Sequence, residues 1–361
     1  LKKNGKFEDE EFARWAMQHN MVWCDSNIFC SEEVTSLSNC CRLKSNIKDL
    51  GFFNSIGGTS LRVGSVKVST INLARIALEC DDEASYLEQL KKVTYVDLVA
   101  LDRVRHIIQR NVEKGMLPNY CEGMIDIKTQ YNTIGVLGVY EVMKTFNYTT
   151  TDEFGNTFYT DDAMRFGDEI FRTIQSVIDE FKQDKDYMIN IEQVPGEQAA
   201  VKFMKADLML YPHDAVRDLP LYGNQFIPLG IKTTLQERIR ISAAFDSYCN
   251  GGSITHINIQ APFKDFDQMW DTLNYITDAG VTYFAFTTKI NACDHNHAFF
   301  GSKCPTCGGH VATTFARIVG FYTPIRTWTK DRKSEYALRE WEDPSDICLP
   351  DEEIPKLGIL D

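Results

Sequence analysis

No apolar run in this sequence comes close to the roughly 20 residues that a membrane-spanning helix needs, which argues against a helical membrane protein. Basic residues are in deficit: 38 Lys and Arg against 51 Asp and Glu leave a formal net charge of −13. Nucleic acid is therefore not expected as the main partner, because phosphate binding needs a basic surface. A secretory leader is not expected either, since Leu1-Lys2-Lys3-Asn4 runs into the acidic Phe7-Glu8-Asp9-Glu10-Glu11 rather than an apolar stretch. The 11 cysteines lack the spacing of a disulfide framework. Cys40 and Cys41 are adjacent, Cys304 and Cys307 form a C-x-x-C, and the others are scattered. That distribution suits metal binding and reactive thiols in a reducing, cytoplasmic compartment. There is no internal repeat, no low-complexity tract and no linker that clearly separates domains. The first residue is not Met, so a trimmed, processed or excised chain is expected.

What is present is an ordinary globular composition: 361 residues, 43% hydrophobic and 25% charged, enough for one large domain or two smaller ones. A helix is expected over Glu10–Asn20, with Phe12, Trp15, Ala16 and His19 along one side. Ser36 to Leu43 keeps neither helical nor strand period and reads as a long ordered loop with two thiols at its tip. The plain alternative is a pair of half-buried cysteines packed as small apolar groups. Val66 to Ile76 looks like a buried strand running into a turn. Leu87, Leu90, Leu98, Leu101, Val104, Ile108 and Val112 recur at steps of three and four, which predicts an amphipathic helix over Asp82–Lys114. A second helix, about Asp161–Gln183, has Thr160 as its N-cap. Strands at Tyr187–Ile191, Ser253–Ile259 and Val281–Ile290 alternate with helices, including Lys264–Ala279. This alternation argues for an α/β barrel or a doubly wound sheet.

Three places carry candidate chemistry. Val194, Pro195, Gly196, Glu197 and Gln198 join a strand to a helix start, where free backbone N–H groups can hold an anion. An ordinary connecting loop explains the same residues. Cys304-Pro305-Thr306-Cys307-Gly308-Gly309 is half a zinc ribbon, two thiolates on a turn that Pro and Gly permit, and needs a second pair of ligands. Upstream lie Cys293, His295 and His297. One intervening residue makes a strained chelate loop, so the favoured set is Cys293, His297, Cys304 and Cys307, with His295 as the alternative. Four protein ligands make a closed, structural site rather than a catalytic one. His256 is expected to be a packed strand residue. Gly320, finally, stands alone among apolar residues in Arg317-Ile318-Val319-Gly320-Phe321, without the turn-forming neighbours an exposed turn would carry.

A closed Cys/His site followed by this R-I-V-G-F run resembles the C-terminal part of anaerobic (class III) ribonucleoside-triphosphate reductases, which are glycyl radical enzymes. Further stretches resemble that family in sequence order: Ser38-Asn39-Cys40-Cys41-Arg42-Leu43, Thr70-Ile71-Asn72-Leu73-Ala74-Arg75-Ile76, and Asn190-Ile191-Glu192-Gln193-Val194-Pro195-Gly196-Glu197. Tyr222-Gly223-Asn224-Gln225-Phe226-Ile227-Pro228 and Gly280-Val281-Thr282-Tyr283-Phe284-Ala285-Phe286 complete the series.

The resemblance implies the second half of a ten-stranded α/β barrel with a central finger loop, residues 1–290, then a zinc and glycyl-radical domain, residues 291–361. It implies radical reduction of ribonucleoside triphosphates to deoxyribonucleoside triphosphates without oxygen. Gly320 would store the radical, installed by a separate iron–sulfur activase that uses S-adenosylmethionine, and Cys41, directly before Arg42, would become the thiyl radical. Where the sequence departs from the family is at its start. Only about 40 residues precede Cys41, so a missing N-terminal half, with the first barrel strands, a second essential cysteine and the allosteric site, is expected, either as a separately encoded or cleaved partner or as the rest of a longer chain. A homodimer of the complete subunit is expected as well. Two rival readings remain open from the residues: another glycyl radical enzyme of the acyl-transferring lyase type, and a non-enzymatic zinc-ribbon fragment that binds a partner chain.

Overall fold

A computed structural model of the chain describes residues 1–31, 36–39, 43–46, 64–318, 320–347 and 349, and for 36–39, 43–46 and 346 the backbone alone. A short ribbon, β1 (Lys2–Lys3) with β2 (Lys6–Phe7), leads into helix α1 (Glu10–Trp23). Asp9 starts α1 by accepting from the Phe12 N–H, as short acceptor side chains do at an N-cap. Met17 and Asn20 point inward, whereas Phe12, Trp15 and His19 face solvent. After β3 (Ile28–Phe29) comes a hairpin of β4 (Ser36–Asn39) and β5 (Leu43–Asn46), paired from Ser36↔Asn46 to Asn39↔Leu43. Strands therefore replace the expected irregular loop. Four-residue strands with a single apolar residue each are too short to show a period. Cys40 and Cys41 lie outside the described residues.

From here strands and helices alternate. β6 (Gly64–Asn72) runs into helix α2 (Leu73–Leu78), not into a turn, because the Asn72 side chain accepts from the Arg75 N–H and caps the helix. α3 (Glu83–Glu113) begins with a capping box between Asp82 and Ser85. The short α4 (Pro118–Cys121) and β7 (Gln130–Leu137) follow, then α5 (Val139–Thr145) and a β8 (Thr149–Thr151)–β9 (Thr157–Tyr159) hairpin. Next are α6 (Asp161–Phe181), capped by Thr160, β10 (Ile189–Gln193), α7 (Glu197–Leu210) and α8 (Leu235–Asp246). The series ends with β11 (Thr255–Asn258), α9 (Phe266–Asp278) and β12 (Tyr283–Thr287).

β6, β7 and β10 form a parallel sheet in the order β10-β7-β6. β11 and β12 are parallel to each other, and β3 pairs antiparallel on the far edge of β12. A parallel bridge between Glu192 and Gly252, with Gln193 N–H donating to the Gly252 carbonyl at 3.0 Å, ties the two sheets edge to edge. Helices cover the outer face of the first sheet. Ile134, Ile189 and Ile191 pack there with Leu98, Phe166, Phe171, Ile174 and Phe245. The α/β class expected from the alternation is what the chain adopts.

The C-terminal stretch changes character. β13 (Ile290–Ala292), β14 (Ala298–Phe299), β15 (Thr313–Arg317) and β16 (Tyr322–Pro324) form an antiparallel sheet in the order β14-β13-β15-β16, followed by helix α10 (Lys330–Ala337). Its buried apolar cluster is small: Cys293, Phe299 and Cys304. Among the described residues no helix is long and apolar enough to cross a membrane.

Candidate functional site

Cys293 directly follows β13, His297 directly precedes β14, and Cys304 and Cys307 lie in the turn between β14 and β15. Local backbone bonds aim them at one point. The Cys293 N–H donates to the His297 carbonyl at 3.2 Å, and the Asn296 N–H donates to the Cys293 carbonyl at 2.9 Å. In the C-x-x-C turn the Gly308 N–H donates to the Cys304 carbonyl at 2.9 Å, with Gly308 at φ 71°, where a side chain would be strained. The four ligand atoms lie within 4.8 Å of one another. Cys293 Sγ is 3.5 Å from His297 Nδ1 and 3.6 Å from Cys307 Sγ, and Cys304 Sγ is 3.6 Å from the same Nδ1.

A tetrahedron built from zinc–sulfur bonds of about 2.3 Å and zinc–nitrogen bonds of about 2.0 Å has edges of about 3.5–3.8 Å. The residues therefore fit a metal ion of that kind. Burial pushes the Cys304 thiol up. Backbone N–H groups of Cys307 and Thr306, with Cys307 and His297 alongside, outweigh it and bring it down to about 6. A thiolate at neutral pH is what a metal requires. His295 and His310 are exposed and take no part in the cluster.

β15 leads from this cluster to Gly320, which is buried. Its carbonyl accepts two hydrogen bonds, from Arg317 Nη1 at 2.7 Å and from Asn27 Nδ2 at 2.9 Å. Arg317 is itself almost wholly buried, at 1% exposed. It also donates to the Asn27 side-chain oxygen and to the carbonyls of Cys24 and Asp25, and its guanidinium lies over the Tyr322 ring. Tyr322 Oη donates to the Cys24 carbonyl at 3.1 Å and accepts from the Thr288 N–H at 3.0 Å. Arg339 Nη1 holds the Arg317 carbonyl at 2.7 Å. The segment between α1 and β3 is thus the seat of the glycine loop. Sequence reading missed Asn27, because a lone Asn nearly 300 positions away carries no local signal.

The strand-to-helix turn at Val194 to Gln198 is present, with Gly196 at φ 72° as the N-cap of α7. A side chain at Gly196 would also collide with Leu137 at 2.7 Å. Asn224 Nδ2 donates to the Pro195 carbonyl at 2.7 Å. Val194 is buried, and Glu197 and Gln198 are exposed. Glu197 occupies the first turn of α7 and already complements the helix dipole there. Close by is Glu141, missed from sequence: it is buried, its Oε1 accepts from the Gly223 N–H at 2.9 Å, and burial raises it to about 7. His256 is a buried strand residue, as expected. Gly320 and the Cys/His cluster are joined by β15. Nothing among the described residues relates either of them to Cys41.

The family model for anaerobic ribonucleoside-triphosphate reductase matches residues 2–341. The chain belongs to that family. The Escherichia coli (strain K12) anaerobic ribonucleoside-triphosphate reductase is 23% identical over 307 residues, covering 75% of this chain and 41% of the relative. A solved anaerobic ribonucleotide reductase superposes with a TM-score of 0.85 at 37% identity, over 95% of this chain and 54% of its own. The Thermotoga maritima enzyme crystallised with glycerol in the active site gives 0.82 at 39% identity, over 93% and 55%. The chain thus spans about half the length of the reductases it matches.

Proposed function

We propose that this chain supplies the radical-storing glycine and the reactive thiol of an anaerobic reductase that converts ribonucleoside triphosphates to deoxyribonucleoside triphosphates. What carries the reading is Gly320: a buried glycine, gripped at its carbonyl, one strand on from a closed Cys/His cluster, in a chain of this family. Glycine suits a stored radical because its Cα has no side chain and can flatten, so the flanking N–H and C=O share the unpaired electron.

In this reading an iron–sulfur activase that uses S-adenosylmethionine installs the radical, taking one hydrogen atom from the Gly320 Cα. Cys41 then gives its thiol hydrogen to that Cα: the S–H bond breaks, the C–H bond re-forms, and the electron vacancy moves to sulfur beside the ribose. The Cys41 thiyl abstracts the C3′ hydrogen, the 2′-OH leaves as water, an external two-electron donor of the formate or dithiol class reduces the ribose, and Cys41 returns the hydrogen to C3′. Val194 to Gln198 would hold the substrate phosphates. Cys293, His297, Cys304 and Cys307 would hold a structural Zn2+, whose role is to fix the base of the glycine loop rather than to react.

The parallel run β6, β7, β10, β11 and β12, bridged at Glu192 and Gly252, fits half of a ten-stranded barrel around the Cys41 finger loop. The boundary between barrel and radical domain would fall near residue 290. The first strands, the allosteric nucleotide site and the dimer contacts would belong to an N-terminal half supplied as a partner, and the assembly would be a cytoplasmic homodimer serving DNA replication.

The test is electron paramagnetic resonance after anaerobic activation together with that half. A glycyl doublet is expected, absent in Gly320→Ala; a doublet that survives the substitution refutes the assignment. Turnover of nucleoside triphosphates but not of small acids separates the reductase from a lyase.

A further inference from the structure

We infer that Asn27 is a positioning residue for the glycine loop: with Arg317 it clamps the Gly320 carbonyl, fixing the loop and stabilising spin at the adjoining Cα. The inference rests on Gly320 being the radical store. Asn27 comes from the segment between α1 and β3, yet each of its amide atoms is spoken for. Nδ2 donates to the Gly320 carbonyl at 2.9 Å and to Tyr283 Oη at 3.0 Å, while Oδ1 accepts from Arg317 Nη1. The orientation of the amide is not arbitrary. Arg317 can only donate and the Gly320 carbonyl can only accept, so only this flip satisfies both neighbours.

Two donors on one carbonyl, one of them a buried guanidinium, make a charge-assisted pair of the stronger kind. A radical at the Gly320 Cα is stabilised by electron release from its nitrogen and withdrawal into its carbonyl. Donors on the carbonyl oxygen strengthen the withdrawal. The clamp also has a rigid anchor. Arg317 is held by the Cys24 and Asp25 carbonyls and stacks on Tyr322, whose hydroxyl bridges Cys24 and Thr288. Removing Arg317 would collapse all of this, so it cannot test the idea. Asn27 can.

Asn27→Asp is nearly isosteric and keeps the acceptor for Arg317, but it cannot donate and sets a negative oxygen against the Gly320 carbonyl. Hydrogen exchange of the resting full chain, read on a peptide covering residues 318–324, needs no radical. Loss of the amide-to-carbonyl bond from Asn27 to Gly320 predicts exchange about tenfold faster in Asn27→Asp than in the native chain. After anaerobic activation with the N-terminal half, the variant's glycyl doublet is expected to decay about tenfold faster and to show a shifted high-field g value. That last readout is one a purely structural role would not move. Unchanged exchange overturns the clamp, as does a doublet with native lifetime and g value. Absence of a doublet in the native chain refutes the radical reading instead, and the exchange measurement then decides the clamp alone.

Discussion

The parallel α/β part and the C-terminal glycine region solve the same problem, holding backbone still, by opposite means. In the first, Phe166, Phe171, Ile174 and Ile178 of α6 meet Leu90 and Leu98 of α3 over β6 and β7, all essentially buried. Burial of each such side chain contributes about 1.5–3 kcal/mol, spread over many contacts. In the second, the buried apolar cluster shrinks to Cys293, Phe299 and Cys304. Order there rests on four convergent ligand atoms and on buried Arg317, Arg332, Glu335 and Arg339. Glu335 accepts from Arg339 Nε at 2.8 Å and Nη2 at 3.0 Å. A dispersed apolar core tolerates small losses. A region held by a few directional bonds has discrete points of failure, and it also presents polar groups to a backbone carbonyl, which an apolar core cannot do.

The largest effect should follow from removing two ligands at once. Cys304→Ser with Cys307→Ser should abolish metal content and expose residues 290–325 to exchange, since structural zinc sites contribute on the order of 10 kcal/mol. The helical circular dichroism of the α/β part should persist. Unchanged metal content, or unfolding of both regions together, would erase the contrast. Next comes Phe171→Ala, which leaves a hole between Phe226, Phe245 and Tyr248. It should cost about 3–5 kcal/mol by denaturant unfolding while leaving metal content per folded chain unchanged.

Glu141 gives a pH test of similar or smaller size. Burial raises it from 4.5 to about 7, so the folded chain binds the proton more tightly than the unfolded one. Its contribution is full below pH 4.5 and is lost as pH rises towards about 7, a swing of about 3 kcal/mol at most. Glu141→Gln should flatten that part of a melting-temperature profile; an unaltered profile would show that Glu141 does not titrate there. The smallest effect is expected at the surface. Lys92 and Glu88 on α3 are both exposed, with the charged atoms 3.6 Å apart, and Lys92→Ala should change stability by less than about 0.5 kcal/mol.

Periodic and cap-bounded elements were legible in the sequence. α3 falls one residue inside each predicted end, α6 starts at its Thr160 cap, and α7 starts at Glu197, inside the stretch where a helix start is expected. Non-periodic elements were not. α2 stands where the sequence predicts a turn, the β4–β5 hairpin stands where it predicts a loop, and α8, whose apolar and polar residues are both largely buried, offers no period. α1 shows a further limit: the period located the helix, but the Phe12, Trp15 and His19 side faces solvent rather than core. Of the candidate sites, the ligand spacing around Cys304 and Cys307 was readable because a chelate loop is local chemistry.

Sequence by itself determined the alternation of strands and helices, the caps, the four convergent metal-ligand types and an isolated glycine in an apolar run. Each of these is written in neighbours a few residues apart, where propensity, period and chelate geometry act. Only the tertiary structure decided that Asn27, Cys24 and Asp25 would seat Arg317 and the Gly320 carbonyl, and that Glu141 would lose its water. Those outcomes depend on which surfaces meet across 82 to 293 residues of chain, and burial and hydrogen-bond partnership exist only once they have met.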